Sequence, residues 1–365
     1  MKLKAITDII ESIAPLSYQE SYDNAGLLTG HKELELTGIL LALDTTEEVV
    51  DEAIRNNCNL IVAHHPIIFK GLKSLTGKNY VERAIIKAIK HDIAIYAAHT
   101  NLDNVLTNGV NEKFANKLGI RNLRILSPKT GLLCKVFVYV PDNQLSIVQN
   151  AMFEAGAGKI AEYAECSFTT EGTGTFKPSD KAQPFEGVLG ERSTVTERKL
   201  EVLVEMDKVN RVIEAAKAVH PYEEMAYEVV ALQNTHQMIG SGVVGELEEA
   251  MSANDFLLHV KKQMNLELIK HTKWDKPVKK VAVCGGVGSF LIQAAAREGV
   301  DAYITADVKY HEFFDVENRY MLCDIGHYES EISTLEIFYE AITKKFLNFA
   351  VIFCSISTNP IQYYK

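Results

Sequence analysis

Short, uninterrupted apolar runs constrain the fold of this chain more than any other feature. Three of them lie at Gly38–Leu43, Leu60–Ala63 and Ile93–Ala98, and segments with helical patterns separate them. A strand that is covered on both faces reads as a continuous apolar run, and parallel strands need helical crossovers between them. The first part of the chain is therefore predicted to be an α/β domain with a parallel sheet.

The C-terminal part repeats this architecture without repeating the sequence. Apolar runs at 280–284, 302–305 and 321–325 alternate with helical patterns, and the Gly-rich turn Gly285–Ser289 follows the first run. We expect the segments 1–127 and 241–365 to be the two halves of one α/β domain.

The segment 128–240 changes character and is predicted to be an inserted α+β domain. Its predicted strands and helices, with a Gly/Thr-rich stretch that is predicted to turn the chain, are strand 131–140, helix 143–155, turn 168–178, strand 199–206, helix 209–219 and strand 226–232. This order suggests a ferredoxin-like module. Insertion at a surface loop is physically easy because the termini of a small domain often lie close together.

Histidines and carboxylates follow several of the predicted strands. His64 and His65 come after the second run, Asp103 after the third, and His327 and Glu331 after the last. Open α/β sheets place ligands at the carboxyl ends of their strands. Imidazole and carboxylate are ligands that zinc, manganese and iron accept, and five of them exceed the needs of one tetrahedral ion. We predict two divalent ions, with Glu331 as the better candidate for a bridging carboxylate.

For three further polar residues near these strand ends, the sequence allows two alternative roles. His99 either orients Asp103 or forms a hydrogen bond with a substrate. Lys309 and His311, in the segment Ala306–Glu312, either contact a substrate or belong to a helix cap. Neither a P-loop motif nor a Gly-x-Ser-x-Gly motif occurs in the sequence, so neither of these sites is expected.

Composition narrows the class of protein. A net charge of -10, without a stripe rich in Lys and Arg, argues against a nucleic-acid binder. Six cysteines without a C-x-x-C pair predict reduced thiols and no thiolate zinc site. No apolar run is long enough for a membrane span, and acidic residues interrupt the N-terminal segment, which predicts an amphipathic helix and a cytoplasmic protein.

The chain resembles the family of GTP cyclohydrolase 1 type 2 homologs, also called Ngg-interacting-factor-three-like proteins. The matching segments are 22–27, 42–44, 64–67, 99–103, 284–288, 306–311 and 326–331, and in the insert 156–160, 166–168, 172–178 and 220–224. Tyr22 stands where this family usually has tryptophan, and Met225 replaces a frequent proline. The resemblance implies a dinuclear site formed by His64, His65, Asp103, His327 and Glu331. It also implies an insert similar to PII or CutA modules and a ring-shaped homohexamer whose metal sites face an internal cavity.

Two functional hypotheses follow from these observations. The first is a metal-dependent hydrolase that acts on a nucleotide-like or other phosphorylated small molecule, as a two-metal site would activate water. The second is a non-catalytic metal-handling or regulatory protein whose PII-like insert senses a ligand or partner. The ligand types do not select between zinc, manganese and iron.

Overall fold

A computed structural model describes residues 1–364 and gives the protein a mixed α/β fold with several sheets. The chain divides into two compact units. One contains Met1–Pro128 and Met238–Lys365, and the other contains Lys129–Gln237.

In chain order the strands are β1 Gly26–Thr29, β2 Ile39–Ala42, β3 Leu60–Ala63, β4 Ala94–Ala97, β5 Arg121–Pro128, β6 Leu133–Pro141, β7 Ser167–Phe176, β8 Ser193–Glu205, β9 Tyr227–Ala231, β10 Gly240–Met251, β11 Lys270–His271, β12 Val278–Val287, β13 Ala302–Ala306, β14 Met321–Asp324 and β15 Val351–Phe353. The α-helices are α1 Leu3–Ile13, α2 Glu47–Arg55, α3 Tyr80–Lys90, α4 Thr100–Asp103, α5 Val110–Lys117, α6 Leu145–Glu154, α7 Val209–Val219, α8 Ala253–Gln263, α9 Ile292–Glu298, α10 His327–Glu331 and α11 Thr334–Lys345.

The first sheet of the α/β unit has the strand order β1-β4-β3-β2-β15. Strands β2, β3 and β4 pair in parallel, and all their residues are buried, which agrees with their continuous apolar runs. Helix α2 begins after Thr46, whose hydroxyl accepts a hydrogen bond from the Val49 N–H, and Glu47 and Glu48 lie in its first turn. The crossover helix between β2 and β3 therefore starts at a side-chain cap.

The second sheet of this unit has the order β11-β14-β13-β12-β10-β5. Strands β12, β13 and β14 pair in parallel, whereas β10 pairs with both β12 and β5 in antiparallel fashion. The two halves of the sequence also exchange strands. The N-terminal half supplies β5 to the second sheet, and β15 from the C-terminal half pairs with β2 in the first.

The unit Lys129–Gln237 contains one antiparallel sheet with the order β7-β8-β6-β9. Along the chain the elements follow as β6-α6-β7-β8-α7-β9. The inward residues of β6 and β8 alternate with partly exposed ones and form a core that includes Val136, Val138, Leu200 and Val202.

Three sequence-based expectations differ from this structure. The Gly-rich turn predicted at Gly285–Ser289 begins inside a strand, since β12 continues to Val287. The Gly/Thr-rich stretch predicted as a turn is mostly the ten-residue strand β7, which pairs with β8 along its whole length. It lacks an apolar pattern because it is an edge strand and most of its side chains are exposed. The helical spacing of Ile332, Leu335, Tyr339, Ile342 and Phe346 predicts one closing helix that carries His327 and Glu331 on its first turns. In the structure this helix is divided at Ile332 and Ser333 into the short α10 and the longer α11.

Within residues 1–364, no helix has the length and apolar character that crossing a membrane requires. All six cysteines are free thiols, and four of them are buried: Cys58, Cys134, Cys284 and Cys323.

Candidate metal centre

The ends of strands from both sheets of the α/β unit bring the sequence-predicted ligands together. His64 and His65 directly follow β3, and Asp103 ends α4, which begins shortly after β4. His327 and Glu331 are the first and last residues of α10, which follows β14. All five predicted ligands therefore meet, although they come from two sheets.

The five side chains form two groups that share one carboxylate. One group contains His64, Asp103 and Glu331, and the other contains His65, His327 and Glu331, with one ligand atom per residue and all such atoms of a group within 4.8 Å of one another. Glu331 Oε1 lies 3.8 Å from His64 Nε2, and its Oε2 lies 2.9 Å from His65 Nε2 and 3.0 Å from His327 Nε2. The two oxygens of Glu331 thus face different groups.

Each histidine of the cluster has its Nδ1 atom held by an acceptor, and the Nε2 atoms of His64, His65 and His327 face Asp103 or Glu331. The four Nδ1 contacts are His64 to the Ala98 carbonyl at 2.8 Å, His65 to Asp44 Oδ1 at 2.7 Å, His327 to Asp307 Oδ2 at 2.7 Å and His99 to Asp23 Oδ1 at 2.8 Å. Hydrogen bonding at one ring nitrogen fixes the tautomer and leaves the other nitrogen to bind a metal. Three carboxylates therefore orient imidazoles, a role that the sequence did not reveal.

The surroundings of His64 test whether the residues fit a cation. His64 is fully buried and donates its Nδ1 proton to a carbonyl, and burial lowers the pKa of the ring, so its Nε2 atom carries a lone pair. That lone pair faces Asp103 Oδ1 at 3.5 Å, and both atoms are buried without a hydrogen-bond partner. Two acceptors that face each other in a buried site are unfavourable unless positive charge, supplied by a metal ion or by a proton on the carboxyl, lies between them. The residues therefore fit a metal ion.

The pKa values of Glu331 and Asp103 also indicate that the site holds positive charge. Burial raises the pKa of Glu331, but hydrogen bonds from His327 and His65 outweigh burial and hold this pKa well below its usual range. Burial, reinforced by the adjacent Glu331, raises the pKa of Asp103 well above its usual range. Two neighbouring carboxylates in a buried site ionise together only when positive charge compensates them.

Protonated imidazoles supply part of that charge when no metal is bound. Burial lowers the pKa of His65, but hydrogen bonds to Asp44 and Glu331 outweigh this effect and raise it to about 10. Burial likewise lowers the pKa of His327, and its hydrogen bonds to Glu331 and Asp307 raise it to about 9. Metal binding would displace the Nε2 protons of both rings, since a ligand histidine must be neutral.

Gly286, near the end of β12, gives Glu331 the room that it occupies. Its φ angle is +60°, and a Cβ atom at this position would lie 2.2 Å from Glu331 Oε1. The Gly286 N–H also donates to Ser330 Oγ at 2.9 Å. The absence of a side chain at Gly286 therefore allows the close backbone approach that the shared carboxylate requires.

The remaining sequence candidates lie in different places. His99 joins the cluster, since a ligand atom of this residue lies within 4.8 Å of ligand atoms of His64 and His65. Lys309 is exposed and precedes the 3₁₀ helix Tyr310–Val316, with its backbone N–H donating to Glu312. His311 is exposed, and its ring lies against Tyr310 and Phe314. Neither Lys309 nor His311 lines the cavity above the cluster.

That cavity has a volume of about 610 Å³ and opens onto the candidate ligands. Tyr22, Val287 and Phe290 line it with exposed apolar surface, and Phe69 packs near Tyr22 with 6.3 Å between the ring centroids. Buried Cys284 also lines it, and burial raises the pKa of its thiol. A small molecule that reaches the cluster would thus contact polar ligands at the base and aromatic rings at the rim.

Comparisons with known proteins identify the family of the chain. Residues 1–360 match the family Duf34/NIF3 (NGG1p interacting factor 3). A Bacillus subtilis (strain 168) relative named GTP cyclohydrolase 1 type 2 homolog is 39% identical over 343 residues, which cover 93% of this chain and 90% of the relative. A Staphylococcus epidermidis relative with the same name is 35% identical, with 100% of both chains covered.

Solved structures show the same similarity over the whole chain. A Bacillus cereus protein related to NIF3 has a TM-score of 0.85 and 36% sequence identity, with 100% of this chain and 99% of that one covered. A Staphylococcus aureus protein, SA1388, has a TM-score of 0.78 and 32% identity over the same shares of the two chains. The predicted resemblance is confirmed, and the chain belongs to the Duf34/NIF3 (NGG1p interacting factor 3) family.

Proposed function

We propose that this protein is a dinuclear metal-dependent hydrolase that acts on a small molecule. One ion would be held by His64 and Asp103, the other by His65 and His327, and Glu331 would bridge them. The observation that carries the proposal is the facing pair of unpartnered acceptors, His64 Nε2 and Asp103 Oδ1, beside a carboxylate whose two oxygens face separate ligand groups.

The donor set limits the choice of metal without fixing it. All five ligands offer imidazole nitrogen or carboxylate oxygen, which suits zinc, manganese or iron. When bound, such ions would lower the pKa of a coordinated water and polarise the bond that it attacks.

The protein's own groups would orient the ligands and the substrate. Asp44 and Asp307 hold the rings of His65 and His327 through Nδ1, so that Nε2 of each ring stays directed at Glu331. His99, held by Asp23, lies beside the ligands and lines the cavity, where it would contact a substrate. The aromatic rings at the rim would pack against a planar substrate and exclude water.

The name of the curated relatives makes a nucleotide-like compound the first substrate to test. Both relatives described above are named GTP cyclohydrolase 1 type 2 homolog. A cavity of about 610 Å³ is large enough for a ligand of this size. Opening a guanine ring requires attack by hydroxide at an electron-poor carbon, which a two-metal site supports chemically.

Metal loading and turnover test the proposal together. Metal-free protein is reconstituted with manganese, zinc or iron, the bound ions are counted by elemental analysis, and GTP, other nucleotides and phosphodiesters are screened. We expect two ions per chain and turnover in the wild type, with both greatly reduced in Glu331→Gln. Glu340→Gln, a substitution on the exposed face of α11, is the matched control.

Two results would distinguish the alternatives. Absence of bound metal in the wild type would contradict the metal site itself. Two bound ions without turnover above the Glu331→Gln background, under every metal, would contradict the hydrolase and favour the metal-handling or regulatory alternative.

The proposal also covers the fold type of the inserted unit and the assembly of the chains. The order β6-α6-β7-β8-α7-β9, with β6 and β8 at the centre of the sheet, supports a ferredoxin-like module of the PII or CutA kind. The family resemblance supports a ring-shaped homohexamer, and the amphipathic N-terminal helix supports a cytoplasmic location. Light scattering on the purified protein tests the assembly, with six times the mass of the chain as the expected value.

A further inference from the structure

The segment that follows β15 crosses from the first sheet to the candidate metal centre. Its start is fixed by two backbone contacts: the Cys354 N–H donates to the Leu41 carbonyl at 2.8 Å, and the Ser355 N–H donates to Glu52 Oε1 at 2.8 Å. Its end reaches the cavity, which Pro360 and Ile361 line. We call residues 354–361 the C-terminal segment.

Thr358 of this segment extends the hydrogen-bond chain that orients His65. Its hydroxyl donates to Asp44 Oδ2 at 2.6 Å, while Asp44 Oδ1 accepts from His65 Nδ1 at 2.7 Å. Both carboxylate oxygens of Asp44 are thereby engaged, so this side chain is held against rotation. The orientation of the His65 ring then depends on a residue far along the sequence.

The next residue of the segment contacts the helix that carries the other ligands of the same group. Asn359 Nδ2 donates to Glu329 Oε1 at 3.0 Å, and Glu329 lies on α10 between His327 and Glu331. Two consecutive residues of the C-terminal segment therefore contact the carboxylate that orients His65 and the helix that carries His327 and Glu331.

The His64–Asp103–Glu331 group has a different support. His64 is oriented by the backbone carbonyl of Ala98, which belongs to the sheet region around β4 and not to the C-terminal segment. The Asp103 backbone carbonyl accepts from the Asn111 side chain at 2.9 Å, again without the segment. Glu331 is common to both groups, but the chain from Thr358 through Asp44 ends at His65, a ligand of one group only.

We propose that Thr358 is a positioning residue for the ion at His65 and His327, through which the C-terminal segment selectively stabilises one of the two metal positions. This inference rests on the proposed dinuclear site. Partners that orient a metal-ligating histidine typically contribute 10- to 100-fold to metal affinity. Because Asp44 is about a third exposed, water would partly replace the lost hydroxyl, and we expect about 10-fold, the lower end of this range.

Metal titration of three variants tests the inference. Thr358→Val removes the hydroxyl and keeps the shape of the side chain, Thr358→Ser restores the hydroxyl, and Ser357→Ala removes the exposed neighbouring hydroxyl as a matched control. Calorimetric titration of the metal-free proteins with manganese or zinc, with the bound ions counted by elemental analysis, resolves the two binding events. In Thr358→Val we expect one event unchanged and the other weakened about 10-fold, and in the other two variants wild-type affinities.

A double-mutant cycle with Asp44→Asn separates positioning from general loosening of the structure. If Thr358 acts through Asp44, Thr358→Val has no further effect on metal affinity in the Asp44→Asn background. Unfolding temperatures of the metal-free variants report any structural damage that is independent of metal.

Each outcome decides between the proposals. Two unchanged binding events in Thr358→Val, equal weakening of both events, or full additivity with Asp44→Asn would overturn the inference and leave the metal site intact. A wild-type protein that binds no metal would overturn the proposed function together with this inference.

Discussion

At the scale of single residues, the candidate centre is built from paired groups. Every imidazole in the cluster has one nitrogen held by an acceptor, and three of the four acceptors are carboxylates: Asp23, Asp44 and Asp307. Such partners fix the tautomer of a ligand ring and increase its basicity. The geometry of the site is therefore set by residues that touch the ligands as much as by the ligands.

The hydrogen bonds of Asp23 show how such a pair contributes to the stability of the folded protein. Burial raises the pKa of its carboxyl, but hydrogen bonds from His99 and Thr100 outweigh burial and lower it from 3.8 to about 2. Because the pKa is lower in the folded protein, the carboxylate contributes stability that is fully present above the unfolded-state pKa and is lost as the pH falls toward 2.

Replacing Asp23 with Asn should remove this contribution. We expect the free energy of unfolding of the metal-free protein to fall by about 2 kcal/mol at pH 6 relative to the wild type. The difference in free energy of unfolding between the wild type and the variant should decrease as the pH falls from about 4 to 2, because the wild-type carboxylate becomes protonated. Urea unfolding across this range measures it, and a difference that does not change with pH would contradict the assignment.

At the scale of secondary structure, the site depends on how strands and helices end. Strand β12 has Gly286 near its end, which leaves space for the Glu331 side chain, and α10 ends at Glu331 after five residues. A longer continuous helix is what the apolar spacing of the sequence indicates, so the break at Ile332 and Ser333 is a tertiary feature.

Alanine substitutions at two glycines separate the effect of backbone strain from that of a steric clash with Glu331. Gly286 and Gly299 have nearly the same φ, +60° and +63°, but a Cβ atom at Gly286 would meet Glu331, whereas at Gly299 it would meet no atom within 4 Å. Both substitutions should lower the free energy of unfolding by about 1 kcal/mol, because a residue with a Cβ atom is strained in the left-handed conformation.

Only Gly286→Ala should also lose metal affinity, by at least about 10-fold, because the shared carboxylate must move. Metal titration and urea unfolding of the two variants, side by side, provide the measurement. Equal metal affinities in both would show that Gly286 does not support the site.

At the scale of the whole molecule, each half of the α/β unit contributes a strand to the sheet of the other half, as β5 and β15 do. Strand β5 comes just before the inserted unit and β10 just after it, and the two strands pair, with Pro128 opposite Gly240. Residues opposite each other in an antiparallel pair have Cα atoms about 5 Å apart. The two ends of the insertion are therefore held together by the α/β unit itself.

Replacing residues 129–237 with a short Gly/Ser linker should leave the metal centre intact. All ligands and all residues that orient them belong to the α/β unit, and the inserted unit has its own hydrophobic core. We expect the shortened protein to bind two ions with wild-type affinity, and we expect 129–237 alone to unfold cooperatively. Elemental analysis, metal titration and circular dichroism test both parts, and loss of both ions in a folded shortened protein would contradict the independence of the centre.

The sequence by itself determined the buried strands and the ligand types. A strand covered on both faces needs apolar side chains at every position, so β2, β3 and β4 are visible as runs, and the polar residues that follow them mark the strand ends. An exposed edge strand has no such requirement, which is why β7 resembled a turn.

Only the tertiary structure decided how these pieces combine. His65 and Glu331 stand 266 residues apart in the chain yet meet at 2.9 Å, and Thr358 reaches Asp44 across 314 residues. No local pattern encodes such contacts, because a hydrogen bond between side chains depends on the sheet pairing that brings two strand ends together. The division of the candidate ligands into two groups, and the hydrogen bond from Thr358 to the carboxylate that orients His65, arise at that level alone.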